Sequence, residues 1–445
     1  MPAFRRKSAV ALAATASIAL FASACTGQSN TSTKDDASKE TTITFWHGWN
    51  APNEVKAIQA NVDAFQKAHP NIHVKVVGDI NDDKINQALR AGGSTAPDVV
   101  SSFTTNNVGK FCSSNAFVDL APFLAKDGID PAKTFPKTMN EYTQFQGKRC
   151  ALPLLGDSYA LYYNKDAFKA AGITEPPTTW SQFAADAKAL TKAKGDSYEQ
   201  LGFMPDYHGY ETTTEHYLAQ WSPTYFDADG KSNIAKDPAF EKGLAFQKQL
   251  VDDLGGFTKL EKYRSTFGAE FGDQNPFNTG RVAMAMDGEW RLGMAMDSKP
   301  KFEIGVAPLP VPDDMRATHG KGYLTGTIAG IAATSKKQNA AWELVKFMTT
   351  NTDAVVDFAN AIHNVPSTLD ALKSPKLQLD PRFKTFLDIA QNPNSTTTPA
   401  SVNGGQYITS LQNLGYEVES GKQSDIKAGL AKTAQEIDAA IAQAK

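Results

Sequence analysis

The chain has 445 residues, a formal net charge of −3 at pH 7 and 41% hydrophobic residues. About 400 residues would remain after removal of a leader, which exceeds the ~250–300 residues at which a single core stops growing, so we predict two domains. No Lys/Arg cluster lies beside aromatic residues, and this excludes the usual electrostatic path for nucleic acid.

The N-terminus has the pattern of an export signal. Residues 5–7 are basic, and a short run rich in Ala and Ser leads from Ser8 to Cys25. A membrane-spanning anchor is the alternative, but it needs about 20 strongly apolar residues and this run is only weakly apolar. We predict a signal peptide over residues 1–24, and both the Sec and the twin-arginine routes stay open.

The residues before Cys25 resemble the bacterial lipobox, although Ala22 stands where leucine is usual. This resemblance implies that the Cys25 thiol is acylated and becomes the first residue of the mature protein. Residues Thr26 to Glu40 contain no aromatic and no large aliphatic side chain, so they cannot bury enough surface to fold. We predict a lipidated flexible tether over residues 25–40 that holds the protein at the extracellular face of the cell membrane.

Strand-like and helix-like segments alternate in the body of the chain. We predict strands at Thr42–Trp46, Ile72–Val77 and Asp98–Val100, with helices between them at Asn53–His69 and Asp82–Ala91. After Leu152–Leu155 the pattern restarts, and the predicted elements are a strand at Tyr159–Tyr163 and helices at Lys165–Ala171, from Trp180, at Ala239–Leu254, at Asn339–Thr349 and at Ile426–Ala444. This alternation predicts α/β lobes with a mainly parallel sheet.

The chain has three cysteines. With Cys25 assigned to the lipid, Cys112 and Cys150 are the remaining pair. Outside the cytosol we expect this pair to be oxidised to a disulfide. Two separate buried thiols are the alternative.

Eight short segments, taken together and in order, carry a family resemblance. They are Ile43–Trp49, Phe65–Ile72, Ala96–Val99, Gly147–Pro153, Leu161–Asp166, Ala171–Trp180, Gly280–Trp290 and Ala341–Met348. This order resembles the family 1 extracellular solute-binding proteins, the maltose-binding-protein-like sugar receptors of ABC importers. The resemblance implies an α/β, two-lobed periplasmic-binding-protein-like fold of type II, with a hinge crossed more than once and the ligand cleft between the lobes.

The same resemblance implies where the lobes begin and end. Lobe 1 would comprise residues 41–155 plus 325–365, and lobe 2 residues 156–324 plus 366–445. The chain would then cross the hinge near residues 153–157 and 323–326. Three glycines between residues 320 and 326 suit a hinge because glycine tolerates large backbone changes.

Sugar recognition needs aromatic faces for the apolar side of a pyranose and polar groups for its hydroxyls. Residues of both kinds follow predicted strands, where ligands of open α/β sheets bind. By resemblance His47, Trp49 and Asp157 would reach the cleft, and Trp290 would be the stacking ring. The full set of candidate ligand-binding residues is His47, Trp49, Asn50, Thr105, Asp157, Tyr159, Tyr207, His208, Trp221, Asp287, Glu289, Trp290, Tyr323 and Asn364.

Each of these residues also has a structural interpretation. Trp290 could pack in a core, Asp157 could bind only hinge backbone, and Tyr207 and His208 could be ordinary loop residues. Asp98 is expected to brace its strand. Residues 227–230 are expected to form a turn, because the glycine comes too early for a calcium loop.

No HExxH, GxSxG or Walker motif occurs in the sequence. We therefore expect no catalytic residue, no metal site and no cofactor. The predicted function is a monomeric, lipid-anchored receptor that binds a di- or oligosaccharide and delivers it to the membrane permease of an ABC importer. The alternatives are the same fold with a glycerol phosphate ester or a polyamine as ligand, and a cell-surface glycoside hydrolase using Asp157 with Asp287 or Glu289.

Overall fold

A computed structural model describes residues 35–93, 96–205 and 211–444. The predicted signal peptide, Cys25, Tyr207 and His208 lie outside the described residues. The ten strands are β1 Thr41–Trp46, β2 Ile72–Val77, β3 Val99–Ser102, β4 Leu152–Asn164, β5 Lys192–Lys194, β6 Ser197–Phe203, β7 Val282–Gly288, β8 Ile304–Ala307, β9 Leu324–Ile331 and β10 Val365–Pro366.

Helices fill most of the remaining described chain. They are α1 Pro52–Ala68, α2 Asp82–Ala91, α3 Asn107–Ser113, α4 Ala121–Lys126, α5 Pro131–Thr134, α6 Lys137–Tyr142, α7 Lys165–Ala170, α8 Trp180–Ala189, α9 Thr214–Ala219, α10 Pro238–Asp253, α11 Phe257–Arg264, α12 Trp290–Asp297, α13 Gln338–Thr350, α14 Thr352–Ile362, α15 Leu369–Leu372, α16 Lys384–Gln391, α17 Gln406–Glu419 and α18 Ile426–Ala444, with 3-10 turns at Asp313–Thr318 and Pro381–Phe383. The predicted helices agree with these bounds to within about two residues. Each carries the apolar face that its spacing indicated.

Helix α1 shows how this periodicity positions an element. Ile58, Val62 and Phe65 are spaced by four and three residues and are fully buried. Val55, three residues before Ile58, is 41% exposed because it lies in the first turn. Asn61 is buried beside them, and its side-chain amide donates to the Ala354 carbonyl at 2.9 Å.

The strands are ordered β2-β1-β3-β9-β4-β7-β6-β5, with β8 and β10 also paired to β4. Strand β4 is continuous over 13 residues, so the predicted break before Tyr159 is wrong. Its first half pairs with β9 and β10, and its second half pairs with β7 and β8. One strand therefore runs through both halves of the α/β structure.

The prediction of a mainly parallel sheet is also wrong. Only β1 with β2, β1 with β3, and β6 with β7 are parallel pairs, and the other six pairings among the described strands are antiparallel. Local alternation of strand and helix correctly indicated the parallel pairs of β1 with β2 and with β3. The antiparallel pairs arise because β9 brings the chain back beside β4 in the opposite direction, which no local pattern records.

The predicted Cys112–Cys150 disulfide is present in the structure, with a Cα–Cα distance of 5.6 Å. It joins α3 to the segment that leads into β4, and both sulfurs are buried. The predicted brace at Asp98 is confirmed as well. Its carboxylate accepts from the Thr44 amide at 2.8 Å and from the Ser335 hydroxyl at 2.6 Å.

The last part of the predicted tether is folded onto the protein. The Asp35 carboxylate accepts from the Asn339 amide at 2.8 Å and the Ala340 amide at 3.1 Å, the second and third residues of α13. Lys337, the N-cap residue of α13, makes no capping hydrogen bond with its side chain. The Asp35 carboxylate caps the helix in its place, from about 300 residues earlier in the sequence. The predicted flexible tether ran to Glu40, but the chain contacts the body of the protein from Asp35 onward. Within the described residues, none of the helices is both long and apolar enough to cross a membrane.

Candidate binding site

Three chain segments meet at the middle of β4. Asp157 lies opposite Thr325 of β9, Gly156 lies opposite Val365 of β10, and Tyr159 lies opposite Gly288 at the end of β7. A side chain at Gly326 would come within 2.3 Å of the Leu155 carbonyl oxygen, so only glycine allows the strands to approach so closely. This junction positions most of the predicted site residues that the structure brings together.

Two carboxyl groups, Asp157 and Glu289, face each other at the junction and form what we call the carboxyl pair. Glu289 is fully buried, and its Oε2 accepts from the Ser158 amide at 2.8 Å. Burial, followed by the neighbouring Asp157, raises the pKa of Glu289 well above its usual value. Burial also raises the pKa of Asp157, to about 6, although the Asn364 amide donates to its Oδ1 at 3.3 Å.

Four rings beside the carboxyl pair form what we call the aromatic group: Tyr159, His216, Trp290 and Tyr323. The Tyr159 ring lies 4.1 Å from His216, 5.4 Å from Tyr323 and 5.6 Å from Trp290, measured between centroids. Trp290 meets Tyr159 edge to face at 88°. Burial lowers the pKa of His216 to about 4, so this imidazole is neutral at pH 7.

The position of the Trp290 ring depends on Gly288. A Cβ built at Gly288 would lie 2.2–2.5 Å from three indole carbons, so the ring lies directly over the glycine backbone. Tyr323 is held by a second chain of contacts. Its hydroxyl hydrogen-bonds the Thr398 hydroxyl at 2.9 Å, and Thr398 in turn donates to Asn106 Oδ1 at 3.1 Å.

Asp287 has a different environment from the one expected for a sugar contact. Its carboxylate forms an ion pair with Arg291 at 2.5 Å and accepts from the Gly288 amide at 2.9 Å, and both partners of the ion pair are buried. Glu211 lies beside this pair, is 1% exposed, and has its pKa raised well above the usual value by burial and then by Asp287. The Asp287 carboxylate is therefore occupied by Arg291 and by the backbone of the turn after β7.

The candidates after β1 are mostly packed inside their half of the molecule. His47 is buried between the rings of Phe45 and Trp49, and burial lowers its pKa to about 4. Trp49 is 5% exposed and meets Phe103 and Phe358 edge to face. Asn50 is exposed and donates to Asp79 at 3.2 Å.

Thr105 does reach the junction, whereas Trp221 does not. The Thr105 hydroxyl lies 3.1 Å from the hydroxyl of Thr325, the residue opposite Asp157. Trp221 stacks on Trp180 at 5.7 Å and 12°, within the aromatic packing of α8 and α10. Among the described residues its ring contacts are with Trp180 and Phe246, which are not members of the aromatic group.

Sequence reasoning missed several residues at the junction. Glu211 and His216 follow the loop whose predicted site residues are Tyr207 and His208, and Thr325 and Thr398 carry no local signal.

The junction is closed in this structure. Glu289, Tyr159 and Tyr323 are each at most 5% exposed. Surface cavities of about 560 and 790 Å³ lie elsewhere, lined by residues such as Phe257 and Leu89 and by no member of the carboxyl pair or the aromatic group. These side chains are therefore enclosed between the two halves of the fold in this structure.

A two-lobed α/β fold with polar and aromatic side chains at its crossing strands has the architecture of a ligand receptor. Bacterial extracellular solute-binding proteins match residues 51–355, and the chain belongs to that family. The family consists of receptors for import substrates rather than enzymes. The chain spans about half the length of the first curated relatives it matches, binding proteins of Brucella that are 30% identical over 217 residues.

Other relatives match over most of their length. The maltotriose-binding protein of Pyrococcus abyssi is 24% identical over 407 residues, which are 89% of this chain and 81% of that protein. The sn-glycerol-3-phosphate-binding periplasmic protein of Brucella suis is 23% identical over 435 residues, 95% of this chain and 98% of that protein. Among solved structures, CpMnBP1 with mannotriose bound is 25% identical, has a TM-score of 0.75, and is matched over 89% of this chain and 99% of that chain.

Proposed function

We propose that this protein is a lipid-anchored receptor that binds a di- or oligosaccharide and delivers it to an ABC importer. The observation that carries the proposal is the meeting of the aromatic group with the carboxyl pair and Asn364 at the crossing strands. Flat rings suit the apolar face of a pyranose, and carboxyl and amide oxygens accept from its hydroxyls. The maltotriose and mannotriose of the relatives are consistent with this class of ligand.

The magnitudes suit reversible capture. An aromatic contact contributes ~0.5–1.5 kcal/mol beyond burial, and a hydroxyl hydrogen bond contributes ~1 kcal/mol net. Two ring contacts and five or six hydrogen bonds would together give about 8 kcal/mol, which corresponds to micromolar affinity. Such a ligand is held firmly enough to be collected and weakly enough to be released to a permease.

Closure explains how binding becomes a signal. A ligand that touches both lobes only when they are together stabilises that state by its differential affinity. The carboxyl pair joins β4 to the turn after β7, and the Tyr323–Thr398–Asn106 chain joins residues far apart in sequence. The lobe boundaries at residues 155–156, 324–325 and 365–366 are part of this proposal, as is a monomer that meets its permease in the closed form.

The proposed anchor confines the receptor to the membrane. Asp35 contacts the body of the protein, and nine residues, 26–34, separate it from Cys25 in the sequence. Nine residues extend to about 30 Å. This reach keeps the receptor at high effective concentration beside an importer in the same membrane.

The two alternatives fit the junction less well. A glycoside hydrolase needs its carboxyl groups ~5–9.5 Å apart to flank a bond, but Asp157 and Glu289 interact directly and Asp287 is paired with Arg291. A glycerol phosphate ester needs a cation for its phosphate. Arg291, which interacts with the carboxyl groups at the junction, is already paired with Asp287.

Isothermal titration calorimetry against a saccharide panel tests the proposal, with sn-glycerol 3-phosphate and a polyamine included. The protein is the mature chain with Cys25→Ser, so that it stays soluble without its lipid. We expect micromolar binding of at least one saccharide, no binding of the phosphate ester, and no saccharide turnover. Binding of the phosphate ester alone, or turnover of a bound saccharide, would contradict the proposed function.

A further inference from the structure

The buried groups at the junction carry an excess of acid over base. Asp157, Glu211, Asp287 and Glu289 lie together on the elements around β4 and β7, and all but Asp157 are at most 5% exposed. Arg291 is the one cation that the structure describes as interacting with this set, and its charge is matched by Asp287. Three carboxyl groups therefore remain without a counter-charge among the described residues.

Several buried polar atoms at the junction have no hydrogen-bond partner among the described residues. The acceptors among them are Glu289 Oε1 and Asn364 Oδ1, and the donor groups are the Tyr142 hydroxyl and Arg291 Nη2. Glu211 and Glu289 are 1% and 0% exposed, so water does not reach them in the closed form. Buried acceptors without donors are costly, and a ligand that brings donors would remove that cost.

The nearby basic groups do not supply these donors. His216 is neutral at pH 7 and hydrogen-bonds the backbone carbonyl of Glu211. Lys321 is buried, but its ammonium donates to the Ser222 hydroxyl at 2.5 Å. Burial alone lowers the pKa of Lys321 to about 8, with no carboxylate contributing to the shift. Lys321 therefore lies outside the acidic set.

The aromatic group supplies a second, independent feature that favours positive charge. Ring faces carry negative potential and attract ammonium groups within about 6 Å of a centroid. The rings of Tyr159 and Tyr323 lie 5.4 Å apart, and both rings lie within 5 Å of the His216 ring. A saccharide that stacks here places its ring substituents beside both the π faces and the carboxyl pair.

We propose that the ligand is an amino sugar, a saccharide whose protonated primary amine is held against Asp157, Glu289 and Glu211 while its ring stacks on the aromatic group. This inference rests on the proposed function and narrows its ligand class. One ammonium group has three N–H donors and one positive charge, so it supplies donors to the buried oxygens and a counter-charge to one of the carboxyl groups.

The proposal has a pH dependence with a definite sign. The groups facing the carboxyl pair are Asn364 on the β10 side, the buried Tyr142 hydroxyl of α6 and the Ser158 amide of β4, and those facing Glu211 are Asp287, Glu270, Arg291 and Tyr159. Because the pKa of Asp157 is raised to about 6, an ammonium ligand has to displace a proton below that pH. Affinity for an amino sugar therefore rises as pH goes from 5 to 7. Affinity for a neutral sugar stays flat or falls over that range.

Calorimetric titration with matched pairs tests the proposal on the mature chain carrying Cys25→Ser. The probes are glucosamine, galactosamine, mannosamine and the β-1,4 disaccharide of glucosamine, each compared with its neutral hydroxyl counterpart at pH 5, 6 and 7. We expect one amino sugar to bind at least tenfold more tightly than its counterpart at pH 7, with proton release detected by repeating the titration in buffers of different ionisation enthalpy. Added salt should weaken that binding and leave a neutral sugar unaffected.

Variants separate the charge from the shape of the site. Glu289→Gln and Glu211→Gln keep side-chain volume and remove the acid, so each should reduce the preference for the amine over its neutral counterpart to less than threefold. Glu211 lies outside the carboxyl pair, so Glu211→Gln should do this while neutral-sugar binding persists. Glu199→Gln, at an exposed position on β6, is the matched control and should keep the full preference. Thermal unfolding of each variant verifies that it is folded.

Each outcome has a distinct meaning. If every bound pair favours the neutral sugar or shows no preference, the amino-sugar inference is wrong and the sugar receptor stands. If the preference survives in both Gln variants, the acidic set does not bind the amine and the inference is equally wrong. If no saccharide of either kind binds, the proposed function fails and this inference fails with it.

Discussion

Removing the Cys112–Cys150 disulfide should destabilise the protein by an amount that follows from its loop. The two cysteines are 38 residues apart. Closing a loop of that length removes denatured-state entropy that corresponds to about 4 kcal/mol at 25 °C in the chain-entropy description. The unfolding entropy is ~2.1 cal/mol/K per residue for about 410 residues that unfold together. Dividing the lost free energy by this entropy gives a fall in melting temperature of about 5 °C.

The measurement is thermal and urea unfolding, followed by far-ultraviolet circular dichroism. The mature chain with Cys25→Ser is compared with the same chain carrying Cys112→Ser and Cys150→Ser. The matched control is the first protein with its disulfide reduced, which should unfold at about the same temperature as the double variant. Saccharide affinity should change little, because the bond joins α3 to the start of β4 and touches no member of the carboxyl pair.

Two results would refute this reasoning. Alkylation that finds two free thiols in the unreduced protein would show that the bond does not form. A double variant within ~0.5 kcal/mol of the oxidised protein would show that the loop entropy is already lost in the denatured state.

Four further predictions follow from single contacts. Trp290→Ala should weaken saccharide binding more than tenfold in calorimetry and leave the melting temperature of the ligand-free protein nearly unchanged; the opposite pattern would make Trp290 a core residue. Gly288→Ala should weaken binding because its methyl group displaces the Trp290 ring, whereas Gly293→Ala, which meets no atom within 4 Å, should not. The pKa of Glu289 is raised in the folded state, so its contribution to stability is complete below about pH 4.5 and is lost as pH rises through the folded pKa. Urea unfolding at pH 5 to 8 should therefore show wild type losing stability relative to Glu289→Gln as pH rises, and parallel curves would contradict the assignment. Asp35→Ala should cost ~1 kcal/mol of unfolding free energy by removing the cap on α13, and an unchanged urea midpoint would mean that the contact is not formed in solution.

Local pattern was sufficient for most individual elements. Helix α18 and strand β2 have the predicted bounds, because apolar spacing of 3.6 or 2 residues reports directly on which face is buried. Pattern failed at β4, where a strand buried along most of its length has no polar alternation to mark its course through the hinge. The prediction of a flexible tether also failed at residues 35–40. Their polar composition gives no sign that Asp35 caps a helix about 300 residues away.

The candidate site was identified in part. Asp157, Tyr159, Glu289, Trp290, Tyr323 and Asn364 lie together at the junction, and Thr105 contacts it through Thr325. Trp49 and Trp221 carry the same residue type as Trp290, but they pack on other rings within their own halves. Residue type and position after a strand do not distinguish a ring that faces a cleft from one that faces a core.

By itself, the sequence determined most of the elements and the two-lobed class, since these follow from local periodicity and ordered motifs. The cysteine count reduced the possible disulfides to Cys112 with Cys150, and the structure decided that the bond forms. Tertiary structure alone decided that β9 returns antiparallel beside β4, and that Asp287 pairs with Arg291 while Glu289 meets Asp157. The physical reason is that burial and charge neutralisation are properties of an environment assembled from distant segments. Two carboxyl residues separated by a single glycine in the chain therefore differ in partner and in electrostatic state.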